Sequence, residues 1–284
     1  MRLSLLGTGG PRPDSNRQGP ATLVEAGGLR LLFDAGRGVA TQLARVGIAP
    51  EELDAVFLTH HHFDHMGGLG DLLMAAWNRG FRQRLPVYGP RGTSAIVAAL
   101  FENIYRSDIR FRLREADVNG QPIKSVAEYV QAHDLESGVV EPGIGIRVEV
   151  GRVEHGETAL GLGDDEWSAV GYRIEAQERA MTISGDAVAG KDLGRLAQGT
   201  DALVICCYLA GDEIDTEENR FLTEHVIAGA PQVARIAADA GCACLVLTHL
   251  REKSESMLAS LVAQIRQLYS GKIVVGEDLL TVEL

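Results

Sequence analysis

Four histidines and an aspartate fall between positions 60 and 65 of this 284-residue chain. The stretch reads LTHHHFDHMGGLG, Leu58–Gly70, with His60, His61, His62, Asp64 and His65 as its donors. Imidazole and carboxylate together suit Zn²⁺, and also Fe or Mn. On extended backbone, side chains two apart share a face and the one between them faces away. His60 and His62 can therefore converge on one ion while His61 points elsewhere. The chain then turns, and Asp64 and His65, at the start of a helix, can reach a second ion beside the first. Gly67 and Gly68 permit close backbone approach there. An affinity tag would be terminal and would lack the aspartate.

A centre with two ions needs more donors. His155 in VEHGE, Asp186 in TISGDA, His225 in TEHVI and His249 in the second LTH are the candidates. Each except His225 directly follows an apolar, strand-like run. LTH itself occurs twice, at Leu58–His60 and Leu247–His249, as if each half of the chain delivered a ligand from a strand end. LGTGG near the start lacks the lysine of a phosphate-binding loop and the G-x-G-x-x-G spacing, so it is not read as a nucleotide site.

The elements around these residues read as short β-runs separated by turns and helices. Leu3–Leu6, Ala21–Glu25 and Leu29–Phe33 open the chain, and DAVFLT (54–59) is a buried strand ending at the histidines. Helical spacing follows at 69–77 and 93–106, and LPVYG reads as a strand. Strands return at Gly145–Val150, Ala169–Glu175, Ala180–Ser184 and Ala202–Cys207. A helix near 229–240, the strand CLVLT, an amphipathic helix through Leu258–Leu268, and the runs KIVVG and LLTVEL complete the chain. This pattern predicts an α/β fold of two sheets covered by helices. Residues 107–142, polar and irregular, read as an insertion or lid on a single 1–284 domain. Arg110, Arg112, Tyr129 and His133 within it are candidate substrate contacts, and Arg106 and Arg114 add to a local basic rim.

Composition narrows the setting. With 45% apolar and 23% charged residues the chain is ordinary for a globular protein, and its net charge of −12 gives no general attraction to nucleic acid or anionic membrane. No apolar run approaches the roughly 20 residues of a bilayer span, and the start lacks the pattern of a signal peptide. A cytoplasmic location is expected. Cys206, Cys207, Cys242 and Cys244 lie in or beside apolar runs and read as buried thiols in a reducing compartment.

The order of motifs resembles the metallo-β-lactamase fold superfamily, and within it the ribonuclease Z and arylsulfatase-like branch. LLGTGGPRPDSNRQGPATLV, LLFDAGRGVATQL, LTHHHFDHMGGL, VYGP, VGYRI, TISGDA and LVLTHL carry the resemblance over nearly the whole chain. It implies a four-layer αββα sandwich holding two Zn²⁺, with Fe or Mn as alternatives. His60, His62 and His155 would hold the first metal, Asp64, His65 and His249 the second, and Asp186 would bridge them. Asp34 would support a ligand histidine from behind, and a homodimer is implied. A hydroxide bridging the metals would attack an ester-like centre. Asp64 would orient it, and His225 would protonate the leaving group or stabilise the oxyanion.

Two departures shape the functional expectation. LVICCYLAG lacks the glutamate that usually follows this strand in the ribonuclease Z branch, so His225 stands without its usual partner. Only EAQERAMTISG joins VGYRI to the bridging aspartate, which leaves no room for the basic arm of tRNA-processing members. The expected activity is therefore a dinuclear hydrolase acting on a small, anionic or aromatic ester: an aryl sulfate, a phosphodiester or a lactone. Nucleic acid is not expected as a partner. RNA phosphodiesterase action of the ribonuclease Z kind is the alternative. Metal-dependent redox chemistry and a non-catalytic metal-retaining sensor stand behind it.

Overall fold

A computed structural model describes all 284 residues. Fourteen strands form: β1 (Arg2–Gly7), β2 (Ala21–Ala26), β3 (Leu29–Phe33), β4 (Ala55–Phe57), β5 (Leu85–Gly89), β6 (Val130–Asp134), β7 (Gly138–Gly143), β8 (Ile146–Val153), β9 (Ala169–Ala176), β10 (Arg179–Ile183), β11 (Ala202–Cys206), β12 (Cys244–Thr248), β13 (Lys272–Val275) and β14 (Thr281–Glu283). The helices are α1 (Val39–Arg45), α2 (Phe63–Met66), α3 (Leu69–Arg79), α4 (Thr93–Ala99), α5 (Arg106–Val118), α6 (Glu157–Leu160), α7 (Lys191–Ala197), α8 (Glu217–His225), α9 (Ala230–Ala240) and α10 (Glu255–Arg266).

Two seven-stranded sheets result, ordered β14-β1-β2-β3-β4-β5-β6 and β13-β12-β11-β10-β9-β8-β7. Strand alternation dictates how they stack. Leu31 and Phe33 face the opposing sheet and meet Val148, Tyr172, Val204 and Val246 there, while Leu32 faces outward onto Leu43, Leu72 and Trp77 of the helices. In the second sheet Leu203, Ile205, Leu245 and Leu247 point outward to Val233, Ala234, Leu261 and Ile265. Strands buried on both faces must be apolar throughout, which is why ALVIC and CLVLT read as continuous runs. The outcome is the expected four-layer αββα sandwich. Phe33 stacks on Phe57 at 4.9 Å and Tyr172 meets both rings edge-on. Such pairs add about 0.5–1.5 kcal/mol each beyond the area they bury.

Residues 107–142 are not the irregular lid expected from their polarity. They build most of α5, then β6 and β7, the last strand of each sheet, where the chain crosses from one to the other. Edge strands pack from one side only, and Ile109 is the sole buried residue of α5, so the apolar signal is weak there. The four cysteines are buried free thiols, and burial raises the pKa of each. No helix is long and apolar enough to cross a membrane.

Candidate metal centre

Strand direction gathers the candidate ligands. β3, β4 and β5 run parallel, as do β10, β11 and β12. β8 is antiparallel to β9, which is antiparallel to β10, so β8 shares the direction of β10. Asp34 follows β3, His60 follows β4, His155 follows β8, Asp186 follows β10 and His249 follows β12. Carboxyl ends of strands are where open α/β sheets bind ligands.

Two groups form at this edge. His60, His62, His155 and Asp186 make one; Asp64, His65 and His249 make the other. Within each group, one donor atom per residue lies within 4.8 Å of the rest. His62 Nδ1 is 2.9 Å from His60 Nε2 and 3.2 Å from His155 Nε2. Asp186, a member of the first group, also faces the second, with Oδ1 3.4 Å from His65 Nε2 and Oδ2 3.2 Å from His249 Nε2. Asp64 Oδ2 is 3.3 Å from His249 Nε2. His61 turns away and bonds Thr93 Oγ1 at 2.8 Å, as the alternation predicts.

Outer hydrogen bonds decide which nitrogens face inward. Thr59 Oγ1 donates to Asp34 Oδ2 at 2.9 Å, so its oxygen accepts from His60 Nδ1 at 3.0 Å. His65 Nδ1 donates to Asp34 Oδ2 at 2.8 Å, and His155 Nδ1 donates to the Val226 carbonyl at 2.6 Å. In each ring the Nε2 lone pair is left pointing into the cluster, the arrangement of a ligand histidine with its outer partner. His65 Nε2 and Asp186 Oδ1 are buried there without a hydrogen-bond partner. Orphaned buried atoms of this kind each cost about 1–3 kcal/mol. Convergent lone pairs and orphaned donor atoms fit divalent metal, and the imidazole–carboxylate set suits Zn²⁺, Fe or Mn.

Electrostatics follow from the crowding. Burial, with the neighbouring His65 and His155, holds His60 well below the usual histidine range. Burial against His155 takes His62 down to about 4, although part of the residue faces solvent. Burial also opposes charge on His65, but Asp186 and Asp34 outweigh it and raise this histidine well above its ordinary value. Burial likewise penalises the Asp186 carboxylate, yet His249 and His65 hold it well below the carboxylate range.

The backbone is shaped to deliver these side chains. Asp34 and His249 adopt left-handed φ values of 60° and 52°, a conformation that non-glycine residues hold only where surroundings enforce it. Gly10, from the LGTGG stretch, packs so closely on the second group that a Cβ there would lie 2.9 Å from His249 Cε1. That glycine serves packing on the His249 ring.

Other expected residues fall outside the two groups. His225 ends α8 exposed, its ring 4.9 Å from Phe221, one position before the carbonyl that receives His155. Arg112 lies 5.6 Å over the Trp77 ring, Tyr129 stacks on Phe81, His133 stacks on Tyr88, and Arg110 is exposed on α5. These contacts lie on the first sheet and its helices, and none of the four residues belongs to either candidate metal group. Thr59, Trp167 and Tyr208 do reach the groups and were not anticipated. Thr59 was legible in LTH; Trp167 follows a Gly- and Asp-rich stretch that gives no such signal.

A family model described as a beta-lactamase superfamily domain matches residues 29–250. Ribonuclease Z of Mycobacterium avium (strain 104) is 35% identical over 294 aligned residues, covering 100% of this chain and 98% of that protein. Among solved structures, the metallo-beta-lactamase fold protein YhfI from Bacillus subtilis aligns at TM-score 0.73 with 19% identity, covering 99% of this chain and 98% of that one. The short form of human tRNase Z aligns at 0.70 with 22% identity, covering 100% and 99%. These structures agree with the fold.

The expectation that nucleic acid is no partner needs correction. It rested on the −12 charge and the missing arm, and relatives matching the chain end to end are named ribonuclease Z. Net charge was the wrong measure, because binding responds to charge within about a Debye length, roughly 10 Å.

Proposed function

We propose that this chain, which belongs to the metallo-β-lactamase superfamily and is a metal-dependent hydrolase, cleaves phosphodiester bonds in RNA using two Zn²⁺. The observation that carries the reading is the pair of His/Asp groups joined through Asp186, in a chain 35% identical along its whole length to a ribonuclease Z. Beside His249, a cavity of about 200 Å³ is lined by Arg12, Arg251 and Tyr208 together with Asp14 and Glu252, so formal charge there is balanced while the whole chain carries −12. Arg37 donates to the carbonyls of Gly10 and Arg12 and holds that loop in place. Cations here suit phosphate oxygens and an aromatic ring suits an unpaired base.

His60, His62 and His155 would hold one metal, Asp64, His65 and His249 the other, and Asp186 both. Bound metal supplies Lewis acidity and brings the pKa of water near 7. The chain's own part is orientation. Asp34, Thr59 and the Val226 carbonyl keep three imidazoles in the tautomer that faces inward, and Asp64 presents a buried carboxylate beside His249. His225, exposed at the end of α8, is the candidate proton donor to the leaving oxygen. His225→Ala should lower kcat by about 10²-fold or more, the usual contribution of general acid catalysis. Because the ring is exposed and makes no hydrogen bond, stability should stay within about 0.5 kcal/mol. Equal kcat in variant and parent would remove His225 from the mechanism.

The deciding experiment compares substrates on one metal-loaded sample. Precursor tRNA should be cut at a defined position, with activity lost on chelation and restored by Zn²⁺. Turnover of bis-(4-nitrophenyl) phosphate without RNA cleavage would instead favour a small phosphodiester. The short hairpin at Gln177–Glu178, which joins β9 to β10 in two residues, is the feature that favours that second reading.

A further inference from the structure

Each candidate ligand of the first group has an orienting contact behind it. His60 has Thr59 and His155 has the Val226 carbonyl. His62 has no hydrogen bond through its outer nitrogen; both of its polar contacts are through Nδ1, toward the cluster. It is also the exposed member of the group. Its ring packs instead on the indole of Trp167, with centroids 4.5 Å apart and planes tilted by 44°. The same indole meets His60 edge-on at 5.8 Å and His155 at 5.9 Å. Trp167 Nε1 is buried without a partner, so polar bonding is not what fixes this side chain. Its loop is tied down just before it, by Arg152 to Asp164 at 2.7 Å and by an Arg91–Asp165 ion pair.

We propose that Trp167 is the positioning residue of the first metal group, holding the His62 ring by packing where the other rings are held by hydrogen bonds. The inference rests on the metal reading above. The indole does not act as a ligand. It limits the rotation of an exposed imidazole that would otherwise lose conformational freedom on binding metal, and it keeps water from one flank of the group. Trp167 packs on the three histidines of the first group, whereas His249 packs on His65 and Tyr208, so the effect is specific to one of the two equivalents.

The chain has two tryptophans, and Trp77 packs in the outer core of the first sheet, which allows an optical test. In Trp77→Phe protein, Co²⁺ added to metal-free sample should quench Trp167 emission in step with the first equivalent bound. Chelator competition with Zn²⁺ on Trp167→Ala should show one equivalent weakened about tenfold to a hundredfold, the range for contacts of this kind, with the other unchanged. Trp167→Phe, which keeps an aromatic ring, should stay within about threefold of the parent. Loss of affinity at both equivalents alike, or at neither, overturns the inference while leaving the metal reading in place. Failure of the Trp77→Phe parent to bind two equivalents overturns the metal reading, and this inference with it.

Discussion

Asp186→Ala should leave protein that retains neither metal equivalent tightly and hydrolyses its substrate at least about 10³-fold more slowly, some 4 kcal/mol in the barrier. The size of the effect follows from position. Asp186 is buried between the groups and faces His65 with one oxygen and His249 with the other. Removing it takes a carboxylate from both groups at once and leaves the five imidazoles with Asp64 as the one carboxylate of the two groups. His65 keeps Asp34 as its Nδ1 acceptor but loses the carboxylate that its Nε2 faces. Asp186→Asn isolates the charge, since it keeps the volume and one oxygen. It should bind metal better than the alanine variant and still fall far below the parent. Metal content by mass spectrometry, read beside turnover, checks both. Two tightly held equivalents in Asp186→Ala with activity within tenfold of the parent would remove Asp186 from the centre.

The part of this arrangement that was legible in the sequence is the part that periodicity encodes. His60 and His62 on one side and His61 on the other follow from alternation alone, and the structure turns His61 to Thr93. The central strands announce themselves because helices cover one face and the opposing sheet the other, so every position is apolar. Legibility fails where packing is one-sided. β6 reads VQAHD, with its exposed positions polar, β7 reads GVVEPG, with none of its residues buried, and α5 buries a single side chain. Trp167 was invisible for a different reason. Its role comes from a loop folded back by ion pairs of Asp164 and Asp165, and no local period marks a contact made across the fold.

Charge shows the same limit from another side. A sum over 284 residues describes the whole surface, yet phosphate would meet only the few charges near the metals, where Arg12 and Arg251 stand beside Asp14 and Glu252. Arg12 and Arg251 come from loops after β1 and β12, almost the full length of the chain apart, and they share one cavity only because both loops border His249. Sequence inspection weighed Arg106–Arg114 instead, because those arginines are adjacent in the chain. In the fold they lie on α5, and Arg112 spends its guanidinium on Trp77.

Asp34 separates two kinds of cost that alanine scanning alone would merge. Its carboxylate accepts from the Thr59 backbone N–H at 2.8 Å and from His65 Nδ1 at 2.8 Å, and it is buried. Its backbone holds φ at 60°, which Asp and Asn tolerate and alanine resists. Asp34→Ala therefore leaves a buried N–H and a buried imidazole N–H without acceptors and adds backbone strain. A loss of about 3–5 kcal/mol in chemical denaturation is expected, as for one partner removed from a buried pair. Asp34→Asn keeps φ and one acceptor oxygen, so the bond to Thr59 survives. If that oxygen faces Thr59, the amide turned toward His65 is a donor and cannot receive the Nδ1 proton. The His65 ring is then free to rotate or to exchange tautomers, and its Nε2 lone pair no longer points reliably at Asp186. The asparagine variant should recover most of the stability while its second metal equivalent stays weakened about tenfold to a hundredfold. Nitrogen NMR of the His65 ring would register the change of tautomer directly. A variant with parent-like metal affinity and an unchanged His65 tautomer would show that Asp34 braces the β3 and β4 loops without orienting a ligand.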